Sequence, residues 1–240
     1  MEIQYLHIKN LRNHLDTDIE INDKLNVFYG KNGSGKTTIL EAISLCSLAK
    51  SFTNTPDINL MNTSADAYQI ECKAKNIMNL DYKVKLQYQK SARKKINTNF
   101  GDNLSPKDII GEMPLVILSP DLNEISKGVP ENRREFIDKI LSQISRSYYE
   151  ELINLRKALK NRNAILNSYK TEGIFNNNLF ESWNEIFINY ATKIVYKRLI
   201  FFKEFPEIFR NYYKFITSNN EEVNILYQPD GFNEFDDINN

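Results

Sequence analysis

The sequence predicts an α/β fold built around a phosphate-binding loop, and three observations carry the prediction. The stretch Gly30-Lys31-Asn32-Gly33-Ser34-Gly35-Lys36-Thr37 places glycines, a lysine and a hydroxyl at the spacing such a loop requires. The apolar run Leu25–Tyr29 delivers the loop as a strand would, and Thr38–Leu48 leaves it rich in helix formers, with Ile39, Ala42, Ile43 and Cys46 on one face. Around that unit the texture changes once, near residue 120, from short alternating segments to helical periodicity.

Taken in order, Ile3–Ile8, Thr17–Ile21, Leu25–Tyr29, Tyr68–Ala74, Tyr82–Tyr88 and the wholly apolar Leu115–Leu118 read as strands. Pro130 suits a first helical turn and Glu131 the positive end of a helix. Phe136, Ile137, Ile140, Leu141 and Ile144 follow at helical spacing. A second helix carries Leu152, Leu155, Leu159 and Leu166, with Arg162 standing where the apolar rhythm would continue; its spacing suits an antiparallel helical neighbour. A third, from about residue 180 to 203, puts Trp183, Ile186, Phe187, Tyr190 and Ile194 on one side, and a shorter helix is expected after Pro206. Asn176-Asn177-Asn178 reads as a loop, and Val223–Tyr227 as one more strand before a polar Asn/Asp tail.

Composition narrows the classes. The 240 residues, 41% hydrophobic, suffice for a buried core. Charges balance to zero, so any basic surface must come from local asymmetry. Cys46 and Cys72 lie in apolar periodic segments without metal-ligand spacing, which reads as small core residues in a reducing compartment. No basic-then-apolar leader and no membrane-length apolar run occur, so a cytoplasmic protein without a membrane partner is expected.

The loop specifies its own chemistry. Glycines let backbone N–H groups turn inward around an anion, Lys36 reaches the outer phosphates as a point charge, and the Thr37 hydroxyl takes one place on an octahedral magnesium ion. The expected nucleotide-binding residues are therefore Gly30, Lys31, Asn32, Gly33, Ser34, Gly35, Lys36, Thr37 and Thr38. Arg12, in the polar turn after the first strand, is either a solvated turn residue or a rigid cationic fork returning over the phosphates or base.

The first third of the chain resembles the ATPase heads of the SMC, Rad50 and RecF class. The resemblance rests on a strand ending in Lys9-Asn10-Leu11-Arg12 and on the loop extended through Asn32, Thr37, Ile39, Leu40, Glu41, Ala42 and Ile43. Ser119-Pro120-Asp121-Leu122, Lys127-Gly128, Pro130, Arg133-Arg134, Phe136, Asp138, Tyr149, Leu159 and Arg162-Asn163-Ala164-Ile165-Leu166 then resemble the RecF family, with residues 1 to about 170 covered. Two places depart from its pattern. Leu11 stands where an aromatic is preferred, and Lys50-Ser51-Phe52-Thr53 where Arg-Ser-Phe-Arg is expected, so Thr53 lacks a charge.

The resemblance implies the N-terminal half of an ABC-type P-loop ATPase head, a mixed β-sheet around the P-loop helix, with an inserted α-helical arm. Residues 1–119 would form the head, 120–220 the arm, and 221–240 the start of a return to the head. It further implies a repair protein of the gap-repair pathway and the SOS response to DNA damage. Such a protein uses ATP and Mg2+, binds duplex DNA near single-strand junctions and helps recombinase loading with RecR. It pairs head to head with itself when ATP is bound. Hydrolysis in this class needs a Ser-Gly-Gly signature and an hhhhDE strand, neither of which occurs; Asp121 is displaced from the nearest imitation. No catalytic residue is therefore expected here, and a weak DNA-stimulated ATPase is expected of a longer protein. The alternatives are another SMC-like ATPase, such as a defence or nuclease-coupled head, and a P-loop small-molecule kinase.

For DNA the residues offer two basic clusters. Between Arg146 and Lys170 six cations face two acids, and Lys90-Ser91-Ala92-Arg93-Lys94-Lys95 lies in an expected hairpin. Arg93, Lys94, Lys95, Arg156, Lys160 and Arg162 are the candidates for phosphate contact, the alternative for each cluster being a solvated face.

Overall fold

The computed structural model describes residues 1–76, 78–119, 125, 127–218 and 221–229. Pro120, Asp121 and Leu122, in the Ser-Pro-Asp-Leu turn, lie outside the described residues, as does the tail from 230. The chain divides into one unit of Met1–Arg133 with Ser142–Arg146 and another of Arg134–Leu141 with Ser147–Asn240.

The first unit holds five strands: β1 (Glu2–Leu11), β2 (His14–Glu20), β3 (Ala67–Lys75), β4 (Asp81–Gln89) and β5 (Lys95–Thr98). Their order is β2-β1-β3-β4-β5 and every neighbouring pair is antiparallel. Alternation explains why one face is core: Leu6, Ile8, Ile70, Cys72, Val84, Leu86 and Ile96 all point to it. Helix α1 (Lys36–Leu48) presses Ile39, Ala42, Leu45 and Cys46 onto that face. Each such aliphatic side chain contributes about 1.5–3 kcal/mol by leaving water, so the sheet fixes where the start of α1 points. Two one-turn helices, α2 (Asp57–Leu60) and α3 (Pro106–Ile109), border this core through Leu60 and Ile109.

Two runs expected as strands, Leu25–Tyr29 and Leu115–Leu118, pair with no strand among the described residues. Local composition gives a segment strand character, but a strand exists only where another segment offers its hydrogen bonds. Their side chains Leu25, Val27, Tyr29, Val116 and Leu118 are exposed.

The second unit is helical and uses residues 134–141 of α4 (Pro130–Ile144), α5 (Arg146–Glu172) from residue 147 onward, and α6 (Asn177–Thr217). Ile137, Leu141, Tyr148, Leu152 and Ile194 form its core. Within it Arg198 donates to Asp138 at 2.6 Å and to the Tyr148 hydroxyl at 3.1 Å, and Tyr148 donates to Asp138 at 2.5 Å. The three buried polar groups satisfy one another and so can tie three helices together. α6 is one helix of 41 residues with Pro206 inside it, where the sequence suggested a break. Ring contacts run past the proline, with Phe201 stacked on Phe205 at 4.7 Å and Phe205 tilted against Phe209 at 6.1 Å. Asn176, expected in a plain loop, caps α6 by accepting from Leu179 N–H at 3.0 Å. Val223–Tyr227 is not a strand; Tyr227 stacks on Phe202 at 5.2 Å.

Candidate nucleotide-binding site

The loop predicted from residue 30 has the backbone of an anion cradle. Gly30, Gly33 and Gly35 have φ of 149°, 79° and 93°, and Gly35 is the N-cap of α1. The first turn of α1 contains no acidic residue, so its unpaired N–H groups and positive dipole end stay available to a negative ligand. Lys36 points back into the loop, its Nζ donating to the carbonyls of Gly30 at 2.9 Å and Lys31 at 2.8 Å. Thr37, one residue on, is exposed. Thr38 is buried, so its side chain belongs to the core and only its amide, in the same helical turn, faces anion chemistry.

The β1–β2 turn clamps the loop from one side. Asn13 Nδ2 donates to the Gly33 carbonyl at 2.7 Å. His14 Nε2 lies 3.2 Å from the Gly35 carbonyl, which can only accept, so Nε2 carries the proton and Nδ1 accepts from the Thr17 hydroxyl at 3.1 Å. The fit is tight, since a Cβ on Gly35 would lie 2.3 Å from His14 Nε2.

Arg12 closes the turn in a left-handed conformation, φ 49°. Its Nη2 donates to Glu41 Oε1 at 3.0 Å and makes an ion-pair contact of 2.8 Å with Oε2. Glu41 is wholly buried on α1, and its Oε1 also accepts from the hydroxyls of Ser51 and, at 2.9 Å, Thr53. The Lys50–Thr53 loop is tied to this contact: its two hydroxyls donate to one oxygen of the carboxylate that holds Arg12. Asn62 anchors the same turn by donating to the Arg12 carbonyl.

This arrangement of glycine loop, lysine and free helix N-terminus matches the comparison with known proteins: the AAA ATPase domain family matches residues 1–235. The chain belongs to that family. It is similar to the DNA replication and repair protein RecF of Prosthecochloris aestuarii, 33% identical over 215 residues, which are 89% of this chain and 57% of that one. It is 31% identical to the RecF of Salinibacter ruber over 228 residues, 95% of this chain and 55% of the relative. Two solved structures of the recombination mediator protein RecF in the RecFOR pathway, designated RecF-ATPrS and RecF-ATP, align with TM-scores of 0.84 and 0.82 at 27% identity. Each alignment covers 90% of this chain and 58% of the other. The chain thus spans a little over half the length of these relatives.

The basic residues expected at DNA separate into two groups within this AAA ATPase domain chain. Lys94 is engaged: its Nζ pairs with Asp57 at 2.7 Å and donates to the Ala49 carbonyl at 2.8 Å. Arg162 packs its guanidinium over Phe187 at 4.5 Å and Phe180 at 5.3 Å, which is why an arginine fills the apolar rhythm of α5. Both side chains are engaged within the fold. Arg93, Lys95, Arg156 and Lys160 are exposed, and Arg156 lies 3.8 Å from Asp138. Cys46 and Cys72 are free and buried; the hydrogen bond between Cys46 and Cys72, which favours the protonated Cys46 thiol, and burial raise that thiol well above its usual range. Among the described residues no helix is long and apolar enough to cross a membrane.

Sequence reasoning gave no site role to Asn13, His14, Ser51 or Thr53, and took Glu41 only as part of the extended loop pattern. Glu41 left one signal, a carboxylate amid the apolar face of α1. The hydroxyls left none, since they meet it only through the tertiary fold.

Proposed function

We propose that this chain binds ATP with magnesium at Gly30–Thr38 and serves as the nucleotide-binding part of a DNA replication and repair protein of the RecF kind. Lys36 would neutralise the outer phosphates and Thr37 would give magnesium its one protein oxygen, with phosphate and water completing the octahedron. Arg12, held by Glu41, would stand at the edge of the same site. The bound nucleotide would favour head-to-head pairing of two copies, and pairing would regulate contact with duplex DNA near single-strand junctions and with RecR, in the cytoplasm. Arg93, Lys95, Arg156 and Lys160 are the exposed cations this reading assigns to phosphate contact.

The observation that carries the reading is the loop itself, three glycines at positive φ leading into a helix whose first turn is free of acid. Its test is thermal. ATP with magnesium should raise the melting temperature of the parent chain by mass action, by about 2.7 kcal/mol of stability at a hundred times Kd. Lys36→Ala, which leaves the phosphates facing backbone dipoles alone, should lose most of that rise. An equal rise in both proteins would refute the assignment.

A further inference from the structure

The sheet face opposite α1 presents a lysine array that the linear sequence disperses. Alternation brings Lys9 of β1, Lys73 of β3, Lys83 and Lys85 of β4 and Lys95 of β5 to this face, while their neighbours Ile8, Cys72, Val84 and Ile96 fill the core. Register then matters: Lys73 lies directly opposite Lys83, and Lys95 opposite Gln87. Like charges directly opposed on one face cost stability, so folding alone does not account for that pair. None of these lysines makes an ion pair among the described residues; Lys73 only rests its Nζ 4.7 Å over the Tyr5 ring.

Acids of the face collect at one edge. Asp16, Asp18 and Glu20 lie on edge strand β2, with Asp16 held by His7 at 2.8 Å and Asp18 by the Tyr5 hydroxyl. Asp16 lies directly opposite Lys9, Glu71 opposite Lys85, and Glu2 and Asp81 both flank Lys75, so Lys73, Lys83 and Lys95 are the lysines of the face with no acid directly opposite. At the basic end a cavity of about 310 Å3 is lined by Lys9, Gln69, Gln87, Arg93 and Lys95 with Tyr88, and no carboxylate lines it. The two glutamines bond to each other at 2.7 Å, leaving Gln87 one amide hydrogen to donate.

We propose that this open face binds the phosphate backbone of duplex DNA, with the cavity as the seat of one phosphate; the proposal rests on the DNA-binding reading above. Lysines repeat about every 7 Å along a strand, and neighbouring strands lie about 5 Å apart. A polyanion therefore meets a two-dimensional array of charge. An acidic protein surface fits less well, because a protein interface needs apolar or aromatic anchors at its centre, and here the middle positions are Lys73, Lys83 and Lys85, with Tyr5, the tyrosine of this face, lying beneath Lys73.

The experiment is fluorescence anisotropy with a labelled duplex over a salt series, on the 240-residue chain and two variants. Lys73→Ala with Lys83→Ala and Lys85→Ala should flatten the salt slope by about 2–3 units and weaken binding on the order of a hundredfold near 0.1 M salt, equally for unrelated sequences. Its melting temperature should change little, because relief of the opposed Lys73–Lys83 pair offsets loss of the Lys85–Glu71 pairing and of the Lys73 contact with Tyr5. The second variant, Arg156→Ala with Lys160→Ala, leaves the sheet intact and reads the arm. If the parent binds and the sheet variant keeps its slope, the face is overturned while the DNA reading stands. If the parent binds no duplex at any salt, both fall. A sheet variant that keeps DNA but loses affinity for polyglutamate assigns the face to an acidic protein and overturns the proposal.

Discussion

Gly35 shows how much a single position can carry. Its φ of 93° is left-handed, and an added Cβ would meet His14 Nε2 at 2.3 Å. That ring cannot simply swing away, since both its nitrogens are engaged. Gly35→Ala should therefore unseat the β1–β2 turn, lower the melting temperature, and abolish the additional rise with ATP and magnesium. Adding His14→Ala removes the clash but leaves the backbone strain of about 1 kcal/mol or more, so it should recover part of the stability. Full recovery of both melting temperature and nucleotide response would show that the φ requirement is unimportant. At this scale Lys36 and the glycines were legible because the motif is contiguous. Glu41 was not, because its partners Arg12, Ser51 and Thr53 are brought to it by three different segments.

Among the elements, α3 is too short to hold itself, and its cap supports it. Ser105 gives both its hydroxyl, at 2.6 Å, and its amide, at 2.9 Å, to Asp108 Oδ2, while Arg146 donates to Oδ1 at 2.6 Å. The Ser105 hydroxyl chiefly, then its amide, with Arg146 adding, hold the Asp108 carboxyl below its usual range. A depressed carboxyl stabilises the fold above the ordinary carboxylate pKa of ~3.9, and that contribution disappears as pH falls through the folded value. Asp108→Asn should therefore cost about 1 kcal/mol at neutral pH, as lost caps do. The gap between variant and parent, followed by urea unfolding at several pH values, should close in acid; a gap that stays constant down to pH ~2 would mean that charge at Asp108 is irrelevant. The sequence made β1, β3, β4 and α1 legible because their periodicity is local. It misplaced Leu25–Tyr29, which needs a distant partner, and the break at Pro206, because the ring contacts along α6 are invisible to a rule about proline alone.

At the scale of the whole molecule, zero net charge concealed a polarised sheet. Lys73, Lys75, Lys83 and Lys85 were visible only as Lys-x-Lys pairs at strand spacing, and their shared face appears once the register is known. The same scale separates binding from turnover. The loop supplies glycines, lysine and hydroxyl, whereas Ser-Gly-Gly and an hhhhDE strand occur nowhere in the 240 residues. Holding a phosphate needs donors and charge; transferring it to water needs, in addition, a group that positions and deprotonates the water. Among the residues around the loop, Glu41 is the carboxylate nearest in sequence, but it is buried on α1 and its Oε1 is committed to Arg12, Ser51 and Thr53. The chain should accordingly bind ATP with magnesium and release no phosphate, at high protein concentration and with duplex DNA present, because raising concentration adds more of the same side chains. A sustained phosphate-release assay decides it, with Lys36→Ala as the control: release above background that vanishes in the variant would mean that a base exists in this chain outside the known pattern of its class.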